Sequence, residues 1–181
     1  MTIIISIIAF ISSNMDDIVV LTVLFAQAAG KKDRRNILAG QYIGVFTLLF
    51  VSFCIATFLS AATDFPVKWL GIVPIILALK KLFEKNKLKE STGSKISVAQ
   101  VAALTIAGGA DNLGIYIPII VKQSLDQTLV FASGFVVMIP LWWLIGKQIG
   151  GWSVIRRVIN KREHLAVALI YFAIGIWIFF E

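Results

Sequence analysis

Acidic and amide side chains interrupt two apolar stretches of the sequence. Asn14, Asp16 and Asp17 lie in the first stretch, and Asp111 and Asn112 lie in a later one. A charged side chain at the centre of a bilayer costs at least about 2.5–3.5 kcal/mol to insert, so such residues usually face an aqueous path or a binding site. Carboxylate and amide oxygens are ligands of divalent cations. We therefore predict that these residues form a cation site.

The two acidic segments are expected at similar depth. Asp16 and Asp111 each lie about 14 residues from a predicted helix end, which at ~1.5 Å per residue is close to mid-membrane. Asp16 and Asp17 differ by about 100° around a regular helix, so both reach one ion only if the backbone departs from helical geometry. Otherwise Asp17 supports the ligands or relays protons. The alternative is that the Asp side chains are protonated and hydrogen-bond between helices.

Small and helix-breaking residues surround the second acidic segment. Gly108, Gly109 and Gly114 flank Asp111, and Pro118 lacks the backbone donor that would bind the carbonyl of Gly114. We expect these residues to break the helix and to act as hinge residues with exposed carbonyl oxygens. The alternative is that they only permit close helix packing.

A second glycine pair lies in the next apolar stretch, in the segment Gly40-Gln41-Tyr42-Ile43-Gly44. This spacing is typical of a helix packing face. The polar side chains of Gln41 and Tyr42 leave open a second interpretation, in which they line the substrate path.

Composition indicates an integral membrane protein. Of 181 residues, 59% are hydrophobic and only 15% are charged, which excludes a soluble domain. The net charge of +7 does not indicate nucleic-acid binding, because the basic residues lie in short clusters between apolar stretches. We predict an all-α protein with six transmembrane helices, at 2–29, 37–61, 68–83, 97–121, 128–146 and 165–180.

The basic residues predict the topology. They concentrate in the first, third and fifth loops, which the positive-inside rule places in the cytoplasm, with both termini outside. A hydrophilic cytoplasmic linker at 84–96 separates a first repeat, 1–83, from a second, 97–181, within one membrane domain. An odd number of spans per half makes the repeats inverted, and an offset of 95 residues places Asp16 on Asp111.

These same segments resemble a known family. The run from Asn14 to Leu21 with Phe25-Ala26-Gln27, the segment from Gly40 to Gly44, and the run from Gly109 to Gly114 with Pro118 are similar to the bacterial cadmium-resistance transporters. That family is the CadD-like branch of the LysE exporter superfamily, and the similarity covers essentially the whole chain.

The resemblance implies a non-enzymatic exporter of Cd²⁺ or a related divalent metal in the bacterial cytoplasmic membrane. The acidic motifs of the first and fourth spans would form the substrate site, with no resident cofactor. Asp and Asn oxygens alone suit Mn²⁺ and other hard ions, so the metal stays open. Two close carboxylates in a low-dielectric interior are expected to hold a proton until metal displaces it, which makes protons the expected counter-ion. No oligomeric state follows from the sequence.

Three alternatives remain at this point. Another cation or an amino acid could be the substrate of the same kind of exporter. Two membrane-embedded Asp residues could form an intramembrane aspartyl protease, although the run Gly108-Gly109-Ala110-Asp111 lacks the usual GxGD pattern. A vitamin-capture subunit of a larger transporter would also have about six spans, but it would not need paired mid-membrane acids.

Overall fold

The structure is a computed structural model of the chain. It describes residues 1–15, 17–61 and 96–150, and the isolated positions 72, 75, 76, 79, 172 and 176. Regular structure in the three ranges is all helical, so the predicted all-α class is confirmed there. The helices are α1 (Thr2–Ser13), α2 (Asp17–Gln27), α3 (Lys31–Ala61), α4 (Val98–Gly108), α5 (Leu113–Val121) and α6 (Leu125–Gly150), with a 3₁₀ turn at Gly109–Asn112.

Two helices are long and apolar enough to cross a membrane by themselves. α3 has 31 residues and α6 has 26, whereas about 20 apolar residues span the hydrocarbon core. α3 exposes the large apolar side chains of Phe50 and Phe58, which are 67% and 77% exposed. Such surfaces are suited to lipid contact. The second and fifth predicted spans therefore correspond to α3 and α6.

α3 begins earlier than the sequence predicted. Its first turns contain the basic cluster that was assigned to a loop, and the carboxylate of Asp33 accepts a hydrogen bond from the N–H of Ala29 at 2.9 Å. An acidic side chain near a helix N-terminus is favourable because it satisfies backbone donors and opposes the helix dipole. The loop between α2 and α3 is thus reduced to residues 28–30.

The first and fourth predicted spans are each divided into two helices. α1 and α2 are bent by 65° at a break between Ser13 and Asp17, and α4 and α5 are bent by 74° at the 3₁₀ turn. If each bent pair is one span, the described residues contain four spans. The third and sixth predicted spans and residues 84–95 of the linker lie outside the described ranges, so six spans and outside termini stay predictions.

α4 packs along α3, and the two helices run in the same direction. A Cβ atom at Gly40 would lie 2.5 Å from Cβ of Val101, and one at Gly44 would lie 2.6 Å from Cβ of Thr105. Any side chain at these glycines would collide with α4. The glycine pair therefore forms a packing face, as one of its two interpretations predicted.

The start of α4 is fixed against the same neighbour. The Ser97 hydroxyl accepts a hydrogen bond from the N–H of Gln100 at 3.1 Å, which caps the helix. The Asn36 side chain, near the start of α3, donates to the carbonyl of Ile96 at 2.9 Å. Both helices therefore begin on the same side of the molecule.

α1 packs along α6 in a corresponding way, again in parallel. The Ser6 hydroxyl donates to the carbonyl of Phe131 at 2.6 Å, and a Cβ at Gly134 would collide with Ser6. One turn further along, the ring of Phe10 meets Phe135 edge-on at 5.1 Å. Gly134 follows Gly40 by 94 residues and Val101 follows Ser6 by 95. The broken helix of each half thus packs on the long helix of the other.

α3 and α6 run in opposite directions. The Trp143 indole donates to the carbonyl of Arg34 at 3.0 Å, and further along the Tyr42 hydroxyl donates to the carbonyl of Val136 at 2.8 Å. Pro140 has no N–H, so the Val136 carbonyl lacks its usual partner within α6. Tyr42 supplies the missing hydrogen bond from another helix.

We expect Tyr42→Phe to lower the free energy of unfolding by about 1 kcal/mol, because it leaves the Val136 carbonyl unsatisfied within lipid. In a Pro140→Ala background the new backbone N–H at position 140 binds the Val136 carbonyl. Tyr42→Phe should then lower the free energy of unfolding by less than half as much. Denaturant unfolding of the purified variants in micelles measures both values. Equal losses in the two backgrounds would contradict this account.

Candidate functional site

The break in the first span begins at three consecutive polar residues. The hydroxyls of Ser12 and Ser13 donate back to the carbonyls of Ala9 and Phe10, at 2.9 and 3.3 Å. Such bonds compete with the regular helical ladder. At the next residue, Asn14, the backbone leaves helical geometry, with φ −108° and ψ 15°. The chain therefore changes direction just before the acidic pair.

The Asn14 side chain is held by three oxygen atoms. Its amide nitrogen donates to the Phe10 carbonyl at 3.0 Å, to the Ser13 hydroxyl at 2.8 Å and to the Tyr116 hydroxyl at 3.2 Å. The Ser13 and Tyr116 hydroxyls are 2.7 Å apart and are also hydrogen-bonded. Because Tyr116 belongs to α5, this network fastens the first break to the second half of the chain.

The backbone of the first break is held by a third helix. The indole N–H of Trp142, on α6, donates to the carbonyl of Asn14 at 2.7 Å. The Trp142 ring also packs edge-on against Phe10, with centroids 5.6 Å apart. A carbonyl that the end of α1 leaves without a helical partner is thus satisfied by a side chain.

The second break bends the chain more sharply than the first, by 74° compared with 65°, and it packs against α3. A Cβ at Gly109 would lie 2.5 Å from Cδ1 of Leu48 and 2.8 Å from Nδ2 of Asn112. A larger residue here would require the side chains of Leu48 and Asn112 to move. The predicted break of this helix at its glycines is present, at the 3₁₀ turn Gly109–Asn112.

Asn112 is the most unusual polar residue of the site. Its side chain is 1% exposed, and within the described part of the chain neither its amide oxygen nor its amide nitrogen has a hydrogen-bond partner. A buried amide without partners costs about 1–3 kcal/mol. A buried amide that is retained at this cost is suited to bind a ligand.

Acidic side chains lie at both breaks. Asp17 is 5% exposed, and a Cβ at Gly108 would lie 3.6 Å from its Oδ1. Asp17 of the first half therefore lies beside the segment that carries Asp111 of the second half. Asp111 is half-buried. Asp16 lies outside the described residues.

The other predicted site residues have different surroundings. Gln41 is buried on α3, and the hydroxyl of Tyr42 is used in the bond to α6. Gly114 and Pro118 lie in α5, where the proline leaves the Gly114 carbonyl without its helical donor. That carbonyl belongs to the helix that carries Tyr116, immediately after the second break.

This arrangement can bind a cation. Asp17, Asp111 and Asn112 offer oxygen atoms within a buried region, and Asn14 offers another. The described residues contain no group of three His, Cys, Asp or Glu side chains arranged for a metal, so a metal here would also need amide oxygens or Asp16.

Sequence reasoning missed the residues that hold the first break: Ser13, Tyr116 and Trp142. Tyr116 carried a usable signal, because a phenol in an apolar helix usually finds a hydrogen-bond partner. The signal could not identify that partner, which lies about a hundred residues earlier in the chain.

Alanine substitution should affect the free energy of unfolding differently at Asn14 and at Asn112. Asn14→Ala removes the amide that donates to the Phe10 carbonyl and to the Ser13 and Tyr116 hydroxyls, and should lower the free energy of unfolding in metal-free buffer by about 1–3 kcal/mol. Asn112→Ala removes no hydrogen bond between described residues and relieves the cost of a buried unpartnered amide, which offsets the small cavity it leaves, so it should destabilise the protein less than Asn14→Ala or not at all. Thermal unfolding in detergent compares them. A larger loss for Asn112→Ala than for Asn14→Ala would contradict the geometry.

Comparison with known proteins adds the family. No curated protein and no solved structure matches the chain. A family model described as cadmium resistance transporter matches residues 10–181, which include both breaks and both acidic segments. The match covers almost the whole chain and confirms the resemblance found in its motifs. The chain therefore belongs to the cadmium resistance transporter family.

Proposed function

We propose that the protein exports Cd²⁺ or a related divalent metal across the bacterial cytoplasmic membrane, through a site between the two helix breaks. The observation that carries this proposal is the buried amide of Asn112, which has no hydrogen-bond partner among the described residues. It follows Asp111 directly in the chain, and Asp17 of the first half lies near Gly108, four residues before it. Family membership supplies the substrate class. A divalent cation would satisfy the amide oxygen and neutralise two carboxylates at once.

The donor atoms favour a site that is not restricted to soft metals. Asp17, Asp111, Asn112 and Asn14 offer oxygen, and Cys54, the single cysteine, lies exposed on α3. Oxygen ligands suit Mn²⁺ as well as they suit larger divalent ions. We therefore propose that Mn²⁺ competes with Cd²⁺ for the same site.

We propose six spans arranged as two inverted repeats, with outside termini and membership of the LysE exporter superfamily. The paired contacts Gly40–Val101 and Gly134–Ser6 support this, because equivalent residues of the two halves make equivalent contacts. The parallel pairs α3–α4 and α1–α6 also run in opposite directions. Transport then occurs as the halves rock around the metal held at the breaks.

Protons are the proposed counter-ion. Without metal, burial and mutual repulsion disfavour full ionisation of the carboxylates contributed by Asp16, Asp17 and Asp111. Metal binding requires their charged form and displaces protons. A proton that enters as metal leaves would restore the empty, protonated site. No resident cofactor and no catalytic residue are needed for this cycle.

The first test is metal accumulation in a metal-sensitive bacterium that expresses the chain. We expect lower cell-associated cadmium than in cells without it, and at least about a tenfold loss of export rate for Asp16→Asn and Asp111→Asn, because each removes a charged ligand worth 1.4 kcal/mol or more. Zinc and manganese are measured in parallel.

The matched control is Asp126→Asn, which makes the same change at an exposed position at the start of α6. It should export at the parental rate. If all three variants protect the cells as well as the parent does, the metal site is not at the breaks.

Proton coupling is tested in proteoliposomes. An imposed pH gradient should accelerate cadmium transport, and dissipating it with a protonophore should slow transport by several-fold. Adding cadmium to weakly buffered purified protein should also release protons, and Asp111→Asn should release fewer. Transport that is equally fast with and without the gradient would show that protons are not the counter-ion.

A further inference from the structure

Tyr116 is the largest fully buried side chain among the described residues. Its ring packs edge-on against Phe135 and Phe131, with centroids 5.2 and 6.3 Å away. These contacts fix the ring, so the hydroxyl has one position. That position is the junction of α5 with the first break.

The Tyr116 hydroxyl has two hydrogen-bond partners, and the direction of one bond is definite. The Asn14 amide nitrogen can only donate, so Tyr116 accepts from it. The Ser13 hydroxyl lies 2.7 Å from the Tyr116 oxygen, and either hydroxyl can donate in this second bond. Tyr116 thus accepts from Asn14 and is also bonded to Ser13.

The Phe10 carbonyl determines which atom of Asn14 faces this group of oxygens, because a carbonyl can only accept a hydrogen bond. The amide is planar, with oxygen and nitrogen on opposite sides of its terminal carbon. Since the nitrogen faces Tyr116, Ser13 and Phe10, the oxygen is directed away from them. In the reverse orientation the amide would direct its N–H groups, and not its oxygen, away from Tyr116. An N–H group repels a metal cation.

The Asn14 backbone cannot adjust to a different orientation. Its N–H is bonded to the Phe10 carbonyl at 3.0 Å, and its carbonyl accepts from Trp142 at 2.7 Å. With the main chain held on both sides, rotation of the side-chain amide is the remaining freedom. The Phe10 carbonyl keeps the nitrogen on its side, and the Tyr116 and Ser13 hydroxyls hold the amide in that place.

We propose that Tyr116 is a positioning residue of the metal site, holding the Asn14 amide so that its oxygen, and not its nitrogen, is presented to the metal. This inference rests on the proposed metal transport. It assigns a role in substrate affinity to a residue that touches no metal, and it makes the affinity contributed by one half depend on α5 of the other.

The test compares Tyr116→Phe with Ser6→Ala in proteoliposomes, using radioactive cadmium. Both remove a hydroxyl that joins α1 to the second half, and Ser6 lies two helical turns from the break. Tyr116→Phe should raise KM about tenfold and leave the maximal rate within about twofold, because one oriented ligand is worth roughly 1.4 kcal/mol. Ser6→Ala should leave KM unchanged.

A rescue variant separates orientation from packing. In Asn14→Asp both terminal atoms are oxygens, so the orientation of the group no longer matters. Adding Tyr116→Phe to this background should change KM by less than about twofold. The proposal would be overturned if Tyr116→Phe raised KM equally in the parental and Asn14→Asp backgrounds, or if it left KM unchanged. It would also be overturned if Ser6→Ala raised KM as much as Tyr116→Phe does.

Two further measurements keep the outcomes distinct. If Tyr116→Phe yields too little folded protein, Ser13→Ala, which removes the other hydrogen-bond partner of the Tyr116 hydroxyl and one partner of the Asn14 amide, should also raise KM. Asp111→Asn tests the proposed function itself. Transport that survives Asp111→Asn refutes the metal site, whereas transport that requires Asp111 with an unchanged KM in both network variants refutes only the role of Tyr116.

Discussion

The hydrocarbon core offers no water to a backbone N–H or C=O, so a helix can be interrupted there only if other protein groups replace its lost hydrogen bonds. The described structure does this with single side chains from neighbouring helices. Trp142 binds the carbonyl of Asn14 at the first break, and Tyr42 binds the carbonyl that Pro140 leaves unpaired in α6. At the second break a 3₁₀ turn keeps the interruption to four residues. The position of the site depends on these replacements.

The same reasoning separates two asparagines that look alike in the sequence. Asn14 uses its amide nitrogen within the protein, whereas the amide of Asn112 is bonded to no described residue. Both are buried. A transporter needs each kind of group: satisfied polar groups define the shape of the site, and unsatisfied ones create affinity for the ion. The unpartnered amide of Asn112 lowers the stability of the protein. It lies in the 3₁₀ turn Gly109–Asn112, which is stabilised by packing against α3.

Much of this could be read from the sequence. Apolar length predicted α3 and α6, and the glycines around Asp111 predicted the second break, because both signals depend only on local residues. The 65° bend of the first span was not predicted, since the segment before Asp17 contains no glycine or proline. Its cause is a set of serine and asparagine hydrogen bonds.

The supporting residues were harder to predict, because their partners are remote. Tyr116 and Trp142 meet Asn14 across 102 and 128 residues. Composition and periodicity report which face of a helix is apolar, but not which helix lies against it. The glycine pair shows the same limit: its spacing predicted a packing face, and the structure supplied α4 as its neighbour.

The exchange of helices between the halves has a consequence for biosynthesis. α1 is made first, but the groups that bind Ser6 and Asn14 come from α6, 125 and 128 residues later. Until α5 and α6 have been made, Ser6, Ser13 and Asn14 lack their partners in the second half, and the glycine face of α3 lacks α4. The contacts that hold the first break can therefore be completed only after α6 has been made.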